Sequence, residues 1–215
     1  MKKSKYFVVD CETGGLNCKK NPVTQIAFLV TDGVEWSVHA EESFFVKPYG
    51  GLEITKEALS HSMVSLNDIK NGIDVKDVVK ELMNVFKKFK DKSRGGELIL
   101  VGHNIKFDIG FLKAMFKFCG KRFYDFVNEN YIDTMMLAKM KFEGSEDFSS
   151  LSLSSTCESF GLEVHDAHDA MVDVKNTCEL LKNFSTILRG GGVVAKNSVG
   201  GNGVSLKLKH TKFEL

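Results

Sequence analysis

Apolar positions in the first part of this chain come in short, β-prone runs. Later they recur at helical spacing. Tyr6-Phe7-Val8-Val9 is a compact apolar run that predicts a buried strand ending at Asp10, with Gly14 and Gly15 marking the turn after it. Residues 25–31 predict a second strand, and residues 36–46 a third before Pro48 and the Gly50-Gly51 pair. Three strands in succession with short connections predict an antiparallel meander.

The pattern then changes. Val75, Val78, Val79, Leu82, Val85, Phe86 and Phe89 repeat as one face of a helix. Residues 97–101 predict another short buried strand. Phe107, Phe111, Ala114, Met115 and Phe118 predict an amphipathic helix directly behind it. Residues 131–133 predict a last brief strand, residues 149–160 a helix, and residues 168–188 a long final helix with Met171, Val174, Cys178, Leu181 and Phe184 on one face. Strands first, then strands alternating with helices, predict an α/β domain with a mixed sheet. After Arg189 the glycines at 190–192, 200, 201 and 203 break any regular element. The expected division is a domain over residues 1–189, a flexible linker over 190–203 and a tail over 204–215. In the tail Val204, Leu206 and Leu208 alternate with Ser205, Lys207 and Lys209. That pattern could pair as a strand with a sheet edge, although a solvated basic tail is the simpler reading.

Composition narrows the class. The chain has 215 residues, 43% of them hydrophobic, enough for one domain with a full core. Its 29 basic and 28 acidic side chains leave a formal charge of +1, without the strong basic excess usual in nucleic-acid binders. A metal-dependent site would carry positive charge of its own, so that class stays open. Five cysteines without zinc-type spacing fit a reducing compartment. The apolar run after the basic start is too short for a signal peptide, and no stretch approaches the ~18 apolar residues of a membrane span. A soluble, cytoplasmic protein is expected.

Four carboxylates stand beside apolar runs in three separated segments. Asp10 and Glu12 lie two apart at a strand end, and side chains at that spacing share a face. Two acids on one face repel unless a cation lies between them, and hard oxygen donors suit Mg²⁺ or Mn²⁺. Solvated acids before a turn are the simpler alternative. Asp108 falls in the first turn of the helix behind the fourth strand, where an acid also serves the helix dipole. Ligand sites in α/β folds gather beyond such strand ends. Asp173 flanks the apolar stripe of the last helix. His168 precedes it by five residues and can accept a proton near neutral pH. N-terminal capping by Asp166 or Asp169 explains the same segment without chemistry, and His165 is a rival base.

These segments carry a resemblance. Asp10-Cys11-Glu12-Thr13-Gly14-Gly15-Leu16, His103-Asn104-Ile105-Lys106-Phe107-Asp108 and the run from His168 to Asp173 resemble, in order, the three motifs of the DEDDh branch of the DnaQ-like 3′–5′ exonucleases. Gly14 stands where the family usually has a second threonine. The resemblance spans roughly residues 6–188 and leaves out the tail. It implies a ribonuclease H-like fold, with a mixed five-stranded sheet flanked by helices. It implies two Mg²⁺ or Mn²⁺ ions held by Asp10, Glu12, Asp108 and Asp173, with His168 taking the proton of the attacking water. By the same resemblance Thr13, Leu16, His61, Asn104 and Phe107 hold the terminal nucleotide, although Phe107 also fits the helix core and His103 a structural role. The expected activity is release of 5′-mononucleotides from 3′ ends, of DNA in a proofreading or trimming role. An exoribonuclease, and a non-catalytic module that binds nucleic acid or a polymerase, are the alternatives. A polymerase or other subunit is the expected partner of the tail, and no membrane is expected.

Overall fold

The structure, a computed structural model, describes residues 4–90, 98–145, 150–163 and 169–191. Five strands form one mixed sheet: β1 (Lys5–Thr13), β2 (Val23–Asp32), β3 (Val38–Phe45), β4 (Leu98–Gly102) and β5 (Tyr131–Asp133), in the order β3-β2-β1-β4-β5. β1, β2 and β3 are the antiparallel meander, and β4 and β5 join in parallel. Among the described residues seven α-helices accompany them: α1 (Lys56–His61), α2 (Leu66–Asn71), α3 (Val75–Phe89), α4 (Ile105–Phe118), α5 (Thr134–Phe142), α6 (Leu153–Ser159) and α7 (Ala170–Leu188).

β2 is buried along nearly its whole length because helices cover both sheet faces. On one face α3 and α4 pack against Phe7, Val9, Ile26 and Phe28. Phe7 stacks on Phe28 at 4.8 Å between ring centroids and meets Phe86 edge-on at 4.9 Å. Each such ring contributes ~1.5–3 kcal/mol by burial. On the other face α7 lays Val174, Cys178 and Leu181 onto Val8, Ala27 and Leu29. A third cluster joins α5, α6 and α7 through Ala138, Cys157, Phe160 and Phe184.

Several expected elements are longer or differently faced. β1 continues through Asp10 to Thr13, because β2 offers partners as far as Val23. On α4 the buried face is Ile105, Asp108, Ile109, Phe111, Leu112, Met115 and Phe116, while Phe118 is 47% exposed. The expected stripe through Phe107 and Phe118 is therefore a flank of the helix. α6 begins at Leu153 rather than 149, and its N-cap Ser152 accepts the Ser155 amide. Glu97, the linker after Gly191 and the whole of 204–215 lie outside the described residues, so the expected tail strand does too. All five cysteines are free thiols. Among the described residues no helix is long and apolar enough to cross a membrane.

Candidate active site

The carboxylates meet where β1 outruns its neighbour. β4 pairs with Lys5–Val8 only, so the last residues of β1 have an open flank on that side. Val8, Asp10 and Glu12 alternate onto the α7 face, and α7 brings Asp173 one turn from its start to meet them. One oxygen from each of Asp10, Glu12 and Asp173 lies within 4.8 Å of the others. Asp108 approaches from α4. Its Oδ1 accepts the Cys11 backbone amide at 3.0 Å, and the residue is 3% exposed. It stands beside the three-acid group rather than in it, yet its charge acts on Asp10 more strongly than any other.

Such crowding shows in the titration of these groups. Burial, then the charges of Asp108, Asp173, Glu12 and Asp169, pushes Asp10 well above the usual carboxylate range. Burial raises Glu12 to about 7, and a hydrogen bond from the Ser62 hydroxyl works in the opposite direction. Burial raises Asp108 to about 8, opposed by its own amide and that of Cys11. A cation in the group would reverse these shifts. The donor set is all carboxylate oxygen, the ligand type of hard divalent ions, gathered within 4.8 Å. The residues fit a hard divalent ion such as Mg²⁺ or Mn²⁺.

A cleft of about 410 Å³ opens beside Glu12. Thr13, Leu16, His61 and Phe107 are among the residues that line it. Leu16 is 89% exposed at its mouth. Asn104 does not line the cleft. It is exposed, holds a left-handed conformation at φ 61°, and donates its amide to Asp133 Oδ1 at 2.9 Å. That turn starts α4 and so aims Asp108. His103 is held by Thr134 and Leu151: its Nε2 lies 2.7 Å from the Leu151 carbonyl, and burial keeps its pKa low. It is a structural histidine.

His165, Asp166 and His168 lie outside the described residues. The next residue, Asp169, is the N-cap of α7, with Oδ1 accepting the amides of Met171 and Val172. It also adds negative charge to the site, which its capping role alone had hidden. Thr55, Glu57 and Ala58 complete the cleft wall from α1 and were not foreseen. The signal for α1 was Thr55, whose side chain caps Ala58 N. Gly14 explains the missing threonine. A Cβ there would lie 2.8 Å from Pro22 Cδ and 3.0 Å from the Glu53 carbonyl oxygen, so glycine lets the loop that leads to α1 press close. The Gly14 carbonyl accepts the Thr55 amide at 2.8 Å, tying the first motif to the cleft wall.

Known proteins resemble this chain. A family model described as an exonuclease matches residues 7–181. Ribonuclease T of Vibrio parahaemolyticus is 26% identical over 184 residues, covering 81% of this chain and 83% of that protein. The PolC-type DNA polymerase III of Bacillus cereus is 30% identical over 176 residues, which are 82% of this chain but 11% of the polymerase. Among solved structures, the zinc-bound complex of E. coli exonuclease I with single-stranded DNA superposes with a TM-score of 0.74 at 21% identity, over 87% of this chain and 41% of that one. The match thus spans about two-fifths of exonuclease I and about four-fifths of ribonuclease T. With its mixed five-stranded sheet and its matched residues, the chain belongs to the exonuclease family, the DnaQ-like 3′–5′ exonucleases of the ribonuclease H-like fold.

Proposed function

We propose that the chain is a divalent-metal-dependent exonuclease that removes 5′-mononucleotides from the 3′ ends of single-stranded nucleic acid, DNA before RNA. The observation that carries this reading is the meeting of Asp10, Glu12 and Asp173 beside a cleft wide enough for a terminal nucleotide. Asp10, Glu12, Asp108 and Asp173 are the residues to hold two Mg²⁺ or Mn²⁺ ions. Bound there, such ions supply Lewis acidity toward a phosphate and lower the pKa of water. His168, five residues before Asp173 in sequence, takes the proton of the attacking water. The phosphorus–O3′ bond breaks, the shortened strand keeps its 3′ oxygen, and the terminal nucleotide leaves with its 5′ phosphate. Thr13, Leu16, His61 and Phe107 hold that nucleotide, with Phe107 placed to pack on its sugar or base. Asn104 contributes by setting the turn that aims Asp108.

A second reading, an exoribonuclease, is favoured by the match in length to ribonuclease T. The two differ in whether any group contacts the 2′-hydroxyl. Digestion of matched 5′-end-labelled DNA and RNA strands, with and without Mg²⁺, separates them. We expect a metal-dependent ladder shortening from the 3′ end, faster on DNA. A large preference for RNA overturns the choice of sugar, and absence of metal-dependent cleavage overturns the enzyme reading. Residues 204–215 are the companion proposal, a docking segment for a polymerase or another subunit. Similarity to an exonuclease region carried inside a polymerase supports it.

A further inference from the structure

A second depression lies between α3 and the chain just beyond α4. Val79, Met83 and Cys119 form its floor, and Lys76, Lys80 and Lys121 its rim, around a cavity of about 230 Å³. The three lysines are exposed, and among the described residues none makes an ion pair within 4 Å. The acids beside them on α3, Asp77 and Glu81, form no ion pair with these lysines within 4 Å among the described residues, and Asp74 is engaged as the N-cap of α3, its Oδ1 accepting the Lys76 amide. In a chain of net charge +1, three ammonium groups around one apolar floor make a locally basic rim.

The depression shares an edge of the sheet with the catalytic carboxylates. β3 runs parallel to β1, since each is antiparallel to β2, and Val46 just past β3 bridges Ile73 just before α3. α3 therefore starts at the edge where Asp10 and Glu12 end β1. α4 links the two places. Phe107 in the cleft and Phe118 lie eleven residues apart on one flank of α4, about 16 Å along its axis. Phe118 is 47% exposed and rests on Tyr49, with ring centroids 5.1 Å apart. The Cys119 thiol at the floor of the depression faces the Val75 carbonyl at the start of α3.

We infer that this groove is an upstream subsite for the substrate strand, its lysines holding backbone phosphates and Phe118 stacking a base on the way from the cleft. Single-stranded nucleic acid is bound elsewhere by this combination of aromatic platform and basic groove. At a stacked spacing of ~3.4 Å per nucleotide, the span along α4 takes about five nucleotides. A trinucleotide fills the cleft without reaching the lysines, whereas a twelve-nucleotide strand reaches them.

The subsite rests on the exonuclease reading only for its ligand, and the two are tested apart. Binding of 5′-fluorescein dT12 and dT3 is measured by anisotropy over a salt series, for the wild type, the combined Lys76→Ala/Lys80→Ala/Lys121→Ala variant and Phe118→Leu. Cleavage of the same strands is followed in Mg²⁺. The triple variant should weaken dT12 binding about tenfold or more, and reduce the slope of log affinity against log salt by about 2, from three phosphates at ~0.7 each. Phe118→Leu, which keeps the packing on Tyr49, should weaken dT12 binding without changing that slope. Binding and cleavage of dT3 should be unchanged in both. Unaltered dT12 affinity and slope, or an equal loss on dT3, overturns the subsite. If the wild type cleaves neither strand yet binds dT12 through these lysines, the exonuclease reading fails and the subsite stands.

Discussion

The acids of the site are individually ill at ease and collectively useful. A carboxyl whose pKa rises on folding binds more protons folded than unfolded. Its contribution favours the fold at low pH and is lost as pH rises through the folded value. Glu12 at about 7 and Asp108 at about 8, with Asp10 also raised, place that loss between about pH 5 and 8.5. In EDTA the melting temperature should fall across this range, and added Mg²⁺ should restore it. A melting temperature flat with pH in EDTA would refute the crowding. Asp10→Ala and Asp173→Ala should nearly abolish cleavage. His168→Ala should slow it ~10²–10⁴-fold while leaving metal-induced stabilisation intact. Full activity in that variant would move the base to another group, His165 first. The gathering of Asp10, Glu12 and Asp173, with Asp108 beside them, was legible because the three motifs keep their order and spacing. What stayed hidden was the unequal standing of the acids. Asp108 spends one oxygen on an amide from a strand 97 residues away, a pairing no local pattern announces.

At the scale of elements, long periodic segments were readable and short capped ones were not. The stripe through Val75, Val78, Val79, Leu82 and Phe86 did become the buried face of α3. α1 and α2 have six residues each, too few for a period to show. Their signature was in their caps: Ser65 and Asp68 form a reciprocal capping box at the head of α2. α5 carries methionines and lysines without a one-sided pattern, so it was missed, and it is instead started by Asp133, which accepts the Met135 amide. β1 was cut short because Asp10 was read as a terminator, whereas pairing with β2 carries the strand past it. The β2–β3 turn gives a test of element stability. Asp32 Oδ1 accepts the amides of Val34 and Glu35, Oδ2 lies 3.3 Å from His39 Nε2, and these hold its pKa down to about 2. Asp32→Ala should cost about 1 kcal/mol in urea unfolding at neutral pH. Because the contribution needs the ionised form, the difference from wild type should shrink toward pH 2.

Across the whole molecule, the sheet is a frame with a helix layer on each face and the site at one edge. α7 closes it, and Arg189 at its end donates to the Gly33 carbonyl at 2.7 Å, fastening the last helix to the turn after β2. Truncation after Gly191 should therefore leave the melting temperature and cleavage of short strands unchanged while weakening association with any polymerase partner. Loss of cleavage would show that residues 192–215 belong to the catalytic unit.

The bond from the Cys11 amide to Asp108 has a consequence for how the protein acquires its activity. The acids come from residues 10 and 12, 108, and 173, so no contiguous stretch of chain can assemble them. Loops of this length close slowly and late, after local helices and hairpins have formed. If Asp173 is needed for cleavage, as proposed, a chain emerging from the ribosome stays inert as a nuclease until α7 has been made and has docked. The single tryptophan, Trp36, stacks on Tyr6 in β1 and reports arrival of that packing. Long-range closure thus acts as a safety catch, keeping unfinished copies from degrading the nucleic acids around them.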